Sequence, residues 1–405
     1  MYIKRHIEEV LLRYLKQYPC VLVTGPRQVG KSTLIKNLPD ADTREYVTLD
    51  DTELRHMAKT DPKGFLQIHK PPICIDEIQL APELFSYVKI SVDQNKNPGD
   101  YIFTGSQMYK LMRNIDESLA GRLGILNMQG ISQSEISLLP NQSFFPQFDS
   151  FVDRKLKPMP DIPKVFERIF TGSMPDIVSG RIPKTTEYYP SYLSTFLQKD
   201  ISQITKGIDE LKFRRFLTAC ACRSAQLLNV ADIARDAEID PSTASGWLDI
   251  LETIGIVFYL HPYSNNLLKR TVKKPKMYFY DTGLVSYLCK WQSPQSLMVG
   301  AQAGAIFETY VVSEIIKSYF NAGAEPFVYY YRDIDAKEID LILERDMMLF
   351  PIEIKKSASA DSRDTKSFSV ISKSGLKQGT GAVISLRDNF LTAGENLLFI
   401  PVALI

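Results

Sequence analysis

Ile7, Val10, Leu11, Tyr14 and Leu15 recur at helical spacing, so the chain opens with an amphipathic helix. A short unbroken apolar run at residues 21–24 then reads as a strand, and runs at 46–49, 73–75, 101–104 and 125–128 repeat the pattern. Helix-compatible segments separate these runs, which predicts an α/β unit with a parallel sheet over residues 1–140. A stretch rich in Pro, Phe and polar residues, 140–163, reads as a boundary loop. Beyond it Val165, Phe166, Ile169 and Phe170 form one helical stripe. Tyr192, Thr195, Phe196 and Lys199 form another, so a helical lid is expected over 141–210.

The pattern changes over residues 211–290. Helices at 213–222, 230–237 and 241–253 precede a strand at 256–262 and a hairpin at 267–280, the outline of a winged helix-turn-helix. The last segment, 291–405, reads as a small α/β unit. It has a helix at 305–319 and strands at 327–332, 338–343, 349–355 and about 382–386.

Chemistry concentrates first between the 21–24 strand and the next helix, where Gly25 to Ser32 spell G-P-R-Q-V-G-K-S. This is a phosphate-binding loop in its strand-then-helix context. Gly25 and Gly30 let the backbone curl so that successive N–H groups point into one concavity. Gly25, Pro26, Arg27, Gln28, Val29, Gly30, Lys31, Ser32 and Thr33 are therefore the expected ATP-binding residues. Lys31 is expected to reach the β- and γ-phosphates and Ser32 to hold Mg2+. The 73–75 strand ends in Asp76 and Glu77, where Asp76 suits the metal and Glu77 the attacking water. The next strand ends Thr104-Gly105-Ser106. Thr104 or Ser106 is the candidate γ-phosphate sensor, with capping of the following helix the competing role. Asp50 and Asp51 could add acid near the metal. Arg122 is a candidate arginine finger for a neighbouring subunit, which would require a homo-oligomer; a solvated surface arginine is the alternative.

Length and charge narrow the class without naming it. A chain of 405 residues calls for two or three domains, and a net charge of +1 puts any nucleic-acid affinity into local patches. Cys20, Cys74, Cys220, Cys222 and Cys289 are scattered, which argues against a disulfide framework or zinc site. No signal peptide and no membrane-spanning run is visible, so no membrane partner and a cytoplasmic location are expected. One patch does stand out: Lys269, Arg270, Lys273, Lys274 and Lys276 make the hairpin basic, with no acidic residue. Together with Ser242, Thr243 and Ser245 on the helix before it, it could contact nucleic acid; a solvated or packing face is the alternative.

The phosphate loop G-P-R-Q-V-G-K-S-T, the run I-D-E-I-Q and the run S-L-A-G-R resemble AAA-type ATPases of bacteria and archaea that carry an extra C-terminal domain. The resemblance extends over the whole chain and implies ATP hydrolysis, a five-stranded core sheet and a helical lid. A second motif lies near the C-terminus: Glu338-Ile339-Asp340, then Pro351-Ile352-Glu353-Ile354-Lys355. Glu353 and Lys355 share one face of a strand. With Asp340 alongside and Glu308 on the preceding helix, they suit metal-assisted phosphodiester hydrolysis. Glu314 is a weaker extra candidate. This set is similar to the PD-(D/E)xK nuclease core. That implies catalytic roles for Asp340, Glu353 and Lys355 and metal ligation by Glu308, Asp340 and Glu353. A scaffold of this kind that has lost its chemistry and binds a partner is the alternative.

Overall fold

The computed structural model describes residues 2–106, 119–154, 158–197, 201, 209–264, 274–333 and 337–405, without the side chains of 372–374. Five strands form the first sheet: β1 (Cys20–Thr24), β2 (Glu45–Thr48), β3 (Ile73–Asp76), β4 (Tyr101–Gly105) and β5 (Leu123–Asn127). Their order is β2-β3-β4-β1-β5 and every pairing is parallel. β1, β3 and β4 are buried on both faces, which is why they read as unbroken apolar runs. Alternate residues of β1 serve opposite cores. Val21 and Val23 join Ile7 and Leu11 of the first helix, while Cys20 and Leu22 face Leu84, Phe85 and Val88 of the helix Leu84–Asn95.

The segment expected to be a boundary loop has little regular structure among its described residues, and its phenylalanines pack into the core. Phe144 and Phe151 are buried, Phe145 meets Phe350 edge-on at 4.6 Å, and Arg154 donates to the Leu404 carbonyl at 2.8 Å. The proline content marks the break in helical structure correctly, but the phenylalanines are there to be buried. Helices Ile162–Thr171, Pro175–Val178 and Thr185–Phe196 follow in the segment expected to be a helical lid. Lys199 lies outside the described residues.

Helices Glu210–Ala221, Val230–Ala237 and Pro241–Thr253 then pack with a small antiparallel sheet. Its strands are β6 (Gln226–Leu227), β7 (Val257–Leu260) and β8 (Lys276–Phe279), in the order β6-β8-β7. The hairpin tip, with Lys269, Arg270 and Lys273, falls outside the described residues. Ser242 and Ser245 are exposed on the helix Pro241–Thr253 and Thr243 is half-buried.

The remaining strands are β9 (Val328–Arg332), β10 (Glu338–Arg345), β11 (Met348–Lys355), β12 (Lys377–Gln378), β13 (Gly381–Ser385), β14 (Leu391–Thr392) and β15 (Leu397–Pro401). They form a mixed sheet ordered β14-β15-β13-β11-β10-β9, with β12 beside β11. β9, β10 and β11 run antiparallel, whereas β11, β13 and β15 are parallel neighbours. The helix Ala303–Asn321 lies against this sheet and is buried on nearly every side. Ile306, Phe307, Val311 and Ile315 belong to the same apolar core as Ile7 of the first helix and Leu251 of the central unit. One apolar core therefore runs through all the segments, beside separate clusters on the other face of the first sheet and within the C-terminal unit. Polar groups on this helix bolt it to the first unit. Glu314 accepts from the Gln133 backbone N–H at 2.6 Å and from Lys317 at 2.8 Å, and Ser318 accepts from the Phe144 N–H at 2.8 Å. Glu314, the weaker metal candidate, is thus committed to a structural pair.

Candidate functional site

Parallel register brings the carboxyl ends of β1, β3 and β4 to one edge of the first sheet, where ligands bind in such folds. The phosphate loop leaves β1 there. Gly25 has φ 148°, and a Cβ on it would lie 1.9 Å from the Met128 carbonyl oxygen, so only glycine fits. Lys31, at the start of the helix Lys31–Lys36, is buried and folds back over the loop. Its Nζ donates to the carbonyls of Gly25 at 2.9 Å and Pro26 at 2.7 Å.

Hydroxyls gather around Asp76 at the end of β3. Ser32 Oγ donates to Asp76 Oδ1 at 3.0 Å, Thr104 Oγ1 donates to the same oxygen, and Thr48 Oγ1 donates to Oδ2 at 3.4 Å. Glu77 follows with φ 58°, and its backbone N–H donates to Thr104 Oγ1 at 3.1 Å. Its carboxylate accepts from Gln79 and from Ser106 Oγ, the latter at 3.4 Å. Thr104 and Ser106 therefore both enter the site, Thr104 through Asp76 and Ser106 through Glu77. Asp51 does not: it caps the helix Thr52–Thr60, accepting from Glu53 N–H at 2.8 Å and Leu54 N–H at 3.1 Å. Asp50 is exposed and its backbone N–H donates to Thr48 Oγ1 at 3.3 Å.

Arg122 lies at the other edge of the sheet. It precedes Leu123, which pairs with Cys20 at the start of β1, about 13 Å along the strand from the loop. Its guanidinium pairs with Asp93 at 2.6 Å, so it is no part of this chain's own phosphate pocket.

Beside the loop opens a cleft of 580 Å³ between the N-terminal segment (Tyr2, Ile3), the loop itself (Val29, Gly30) and the lid (Pro175, Arg181). Its back wall is set by Arg5, which is buried. Arg5 donates to Glu135 at 2.9 Å and to the carbonyls of Val29 at 2.9 Å and Gln129 at 2.8 Å. Two further segments touch the loop. Tyr188 of the lid donates to Gln28 Oε1 at 2.7 Å, and a Cβ on Gly255 of the central unit would lie 3.1 Å from Pro26. No motif signals Arg5, Tyr188 or Gly255, because each acts on the loop from far away in sequence.

The second constellation assembles, but around a lysine. Asp340 on β10 accepts from the Ile354 backbone N–H at 2.8 Å, and Lys355 pairs with Glu353 Oε1 at 2.5 Å. Glu308 accepts from Lys276 at 3.0 Å and from the Tyr278 hydroxyl at 2.7 Å, while Lys276 also pairs with Glu338 at 2.5 Å. Lys276, read as either a nucleic-acid contact or a solvated or packing face, is only 4% exposed. Its place as the first residue of β8 aims it into the C-terminal unit. Lys274 stays exposed, and its carbonyl accepts from Tyr330 at 2.6 Å. Burial and the neighbouring Asp340 push Glu308 up to about 7 and Glu353 up to about 8. Burial opposes the Lys276 charge, yet Glu308, Asp340 and Glu338 outweigh it and hold the lysine above its ordinary value.

Comparison with known proteins gives the first unit a family. Residues 17–137 match the model described as an AAA domain. That match is confined to the first unit. Residues 162–295 and 303–405 match two models described as domains of unknown function, DUF8612 and DUF4143. An uncharacterised protein of Mycobacterium tuberculosis and one of Mycobacterium bovis are each 29% identical over 354 residues, spanning 86% of this chain and 73% of their own. Among solved structures, a Walker-type ATPase of Pyrococcus abyssi covers 71% of this chain and 96% of its own, at 13% identity and a TM-score of 0.44. The RuvB Holliday junction branch migration motor of Thermotoga maritima covers 62% of this chain and 88% of its own, at 14% identity and a TM-score of 0.32.

The two sites differ in what they can hold. In the AAA domain, the Ser32 hydroxyl and the Asp76 carboxylate converge within 3.0 Å, a hard-oxygen pair that fits Mg2+. The C-terminal carboxylates offer no such ready group for a metal. Among the described residues no group of three His, Cys, Asp or Glu side chains is placed to hold one. One oxygen of each is engaged, Glu308 by Lys276 and Tyr278, Asp340 by a backbone N–H and Glu353 by Lys355, while Glu353 Oε2 is buried without a hydrogen-bond partner. Among the described residues no helix is long and apolar enough to cross a membrane.

Proposed function

We propose that the protein is an ATP-hydrolysing switch whose nucleotide state is passed from the AAA domain through the lid to the C-terminal unit. The observation that carries this reading is the convergence of Ser32 and Thr104 on one oxygen of Asp76, with Glu77 next in the chain. Ser32 and Asp76 would hold Mg2+, which supplies charge neutralisation at the β- and γ-phosphates. Lys31 exchanges the carbonyls of Gly25 and Pro26 for phosphate oxygens. Glu77 turns from Gln79 and Ser106 to orient the attacking water. Gln28 and Pro26, gripped by Tyr188 and Gly255, transmit loop movement to the lid and central unit.

The test is ATP turnover in the full chain with Mg2+ and with DNA or RNA present. Glu77→Gln should keep ATP affinity and lose at least about 100-fold in turnover, the usual weight of a positioned acid-base group. Normal turnover in that variant would assign the water to another residue.

Arg122, remote from its own loop, serves a neighbouring copy's γ-phosphate in this reading, and the active form is a homo-oligomer. Turnover per subunit is then expected to rise with protein concentration and to fall in Arg122→Ala without loss of ATP binding. Concentration-independent turnover in wild type would exclude the arrangement.

For the rest of the chain, three helices followed by an antiparallel sheet support a winged helix-like unit. Asp340 on β10 with Glu353 and Lys355 on β11 support a PD-(D/E)xK-like scaffold. Lys276 favours the second form of this reading, in which that scaffold binds a nucleic-acid or protein partner and does not cut. The nucleic acid in the turnover assay is then expected to remain intact.

A further inference from the structure

Cys222 ends the helix Glu210–Ala221 and Cys289 ends the helix Thr282–Leu288, and their sulfurs lie 3.5 Å apart. Nothing in the sequence marks them as a pair, since 67 residues separate them. They differ from Cys20, Cys74 and Cys220, which are completely buried; both are only partly covered. Both backbones are relaxed, near φ −63° and −78°, and bonding asks the sulfurs to draw together from 3.5 Å to about 2 Å.

The pair sits at a joint. The Cys222 carbonyl accepts from Gln302 at 3.3 Å, at the entrance to the buried helix Ala303–Asn321. At the other end of the Cys289 helix, Asp281 accepts from the Ser173 hydroxyl at 2.8 Å and the Tyr189 hydroxyl at 2.6 Å, both in the lid. The two thiols therefore lie where the lid, the central unit and the C-terminal unit are joined.

We propose that Cys222 and Cys289 are a reversible redox modification site that closes to a disulfide on exposure to a peroxide. Cys222 is the attacking sulfur. Its thiolate attacks one peroxide oxygen, the O–O bond breaks, and the departing hydroxide takes up a proton to become water. Cys289 then attacks the resulting sulfenic acid, the S–O bond breaks, and the Cys289 proton leaves with the second water. Two thiols lose two electrons and one hydrogen peroxide becomes two waters. The assignment of roles follows from the surroundings. A hydrogen bond from Cys289 lowers the Cys222 thiol to about 6 against the pull of burial, with Gln302 and Arg223 adding to it. Its hydrogen bond to Cys222, and then burial, push the Cys289 thiol up, so the shared proton stays there.

The full chain, treated with hydrogen peroxide and then alkylated under denaturing conditions, tests this by intact mass. The number of alkylated cysteines is expected to fall from five to three, with the Cys222 and Cys289 peptides cross-linked. The oxidised chain should weigh about 2 Da less, and dithiothreitol should restore full alkylation. Cys222→Ser should keep Cys289 alkylatable after peroxide, and wild-type protein supplies the main result even if that variant folds poorly. Five alkylated cysteines after peroxide would overturn the proposal. So would a cross-link through any other cysteine, or a Cys222 oxidised beyond sulfenic acid beside a free Cys289.

Discussion

Lys31→Ala is expected to remove ATP binding almost entirely. The ammonium rests on the carbonyls of Gly25 and Pro26, at 2.9 and 2.7 Å, so it lies at the mouth of the concavity. Phosphate oxygens offer the same ammonium negative charge in place of neutral carbonyls, and such charge-assisted bonds are worth about 1.5–3 kcal/mol each. Losing two of them costs at least about 3 kcal/mol, roughly a 100-fold fall in affinity. Calorimetric titration with ATP and Mg2+ checks it, with a thermal melt as the control for folding. Unchanged affinity in a folded variant would sink the nucleotide-site assignment and the switch reading with it.

That prediction could be written from residues 25–32 alone, and the reason is physical. A phosphate loop is a local device: its spacing, its glycines and its flanking strand lie within a dozen residues. Asp76 and Glu77 were legible for a related reason, since acids ending a buried strand must lie at a sheet edge. Thr48 was not, because a threonine ending the half-exposed β2 carries no pattern. Arg5 and Tyr188 were invisible, as they act on the loop across 24 and 160 residues and only the folded chain brings them there.

The packing of the 140–163 segment was not legible, because Pro and polar residues signal a loop whether or not its phenylalanines are buried. β14 and β15 went unread since short apolar runs near a terminus lack periodicity. Lys276 is the instructive failure. Charge type along the chain says nothing of the partner, and its acids come from Glu308 and Glu338 in another segment.

Lys276→Met should be the most destabilising change in the C-terminal half. Methionine keeps the stem and removes the charge, leaving Glu308 and Glu338 without the ammonium they share at 3.0 and 2.5 Å. Breaking a buried pair from one side costs about 3–5 kcal/mol. The loss should depend on pH with a definite sign. Glu308 sits at about 7 in the folded chain against an ordinary 4.5, so between those values the folded state holds more protons than the unfolded one. Stability therefore falls as pH rises through this window, and Glu353, at about 8, extends it upward. Without Lys276 to hold Glu308 down the slope steepens, so urea unfolding should show a large deficit at pH 8 and a smaller one at pH 5. Adding Glu308→Gln to Lys276→Met should recover part of the deficit at pH 8. Equal deficits at both pH values would remove the uncompensated carboxylate as the cause. Millimolar Mn2+ separates the two readings of the cluster: a carboxylate set built for metal would be restabilised by it once the lysine is gone. A set built around Lys276 would stay as unstable as before, since one oxygen each of Asp340, Glu308 and Glu353 is already turned toward a backbone N–H, a tyrosine and Lys355.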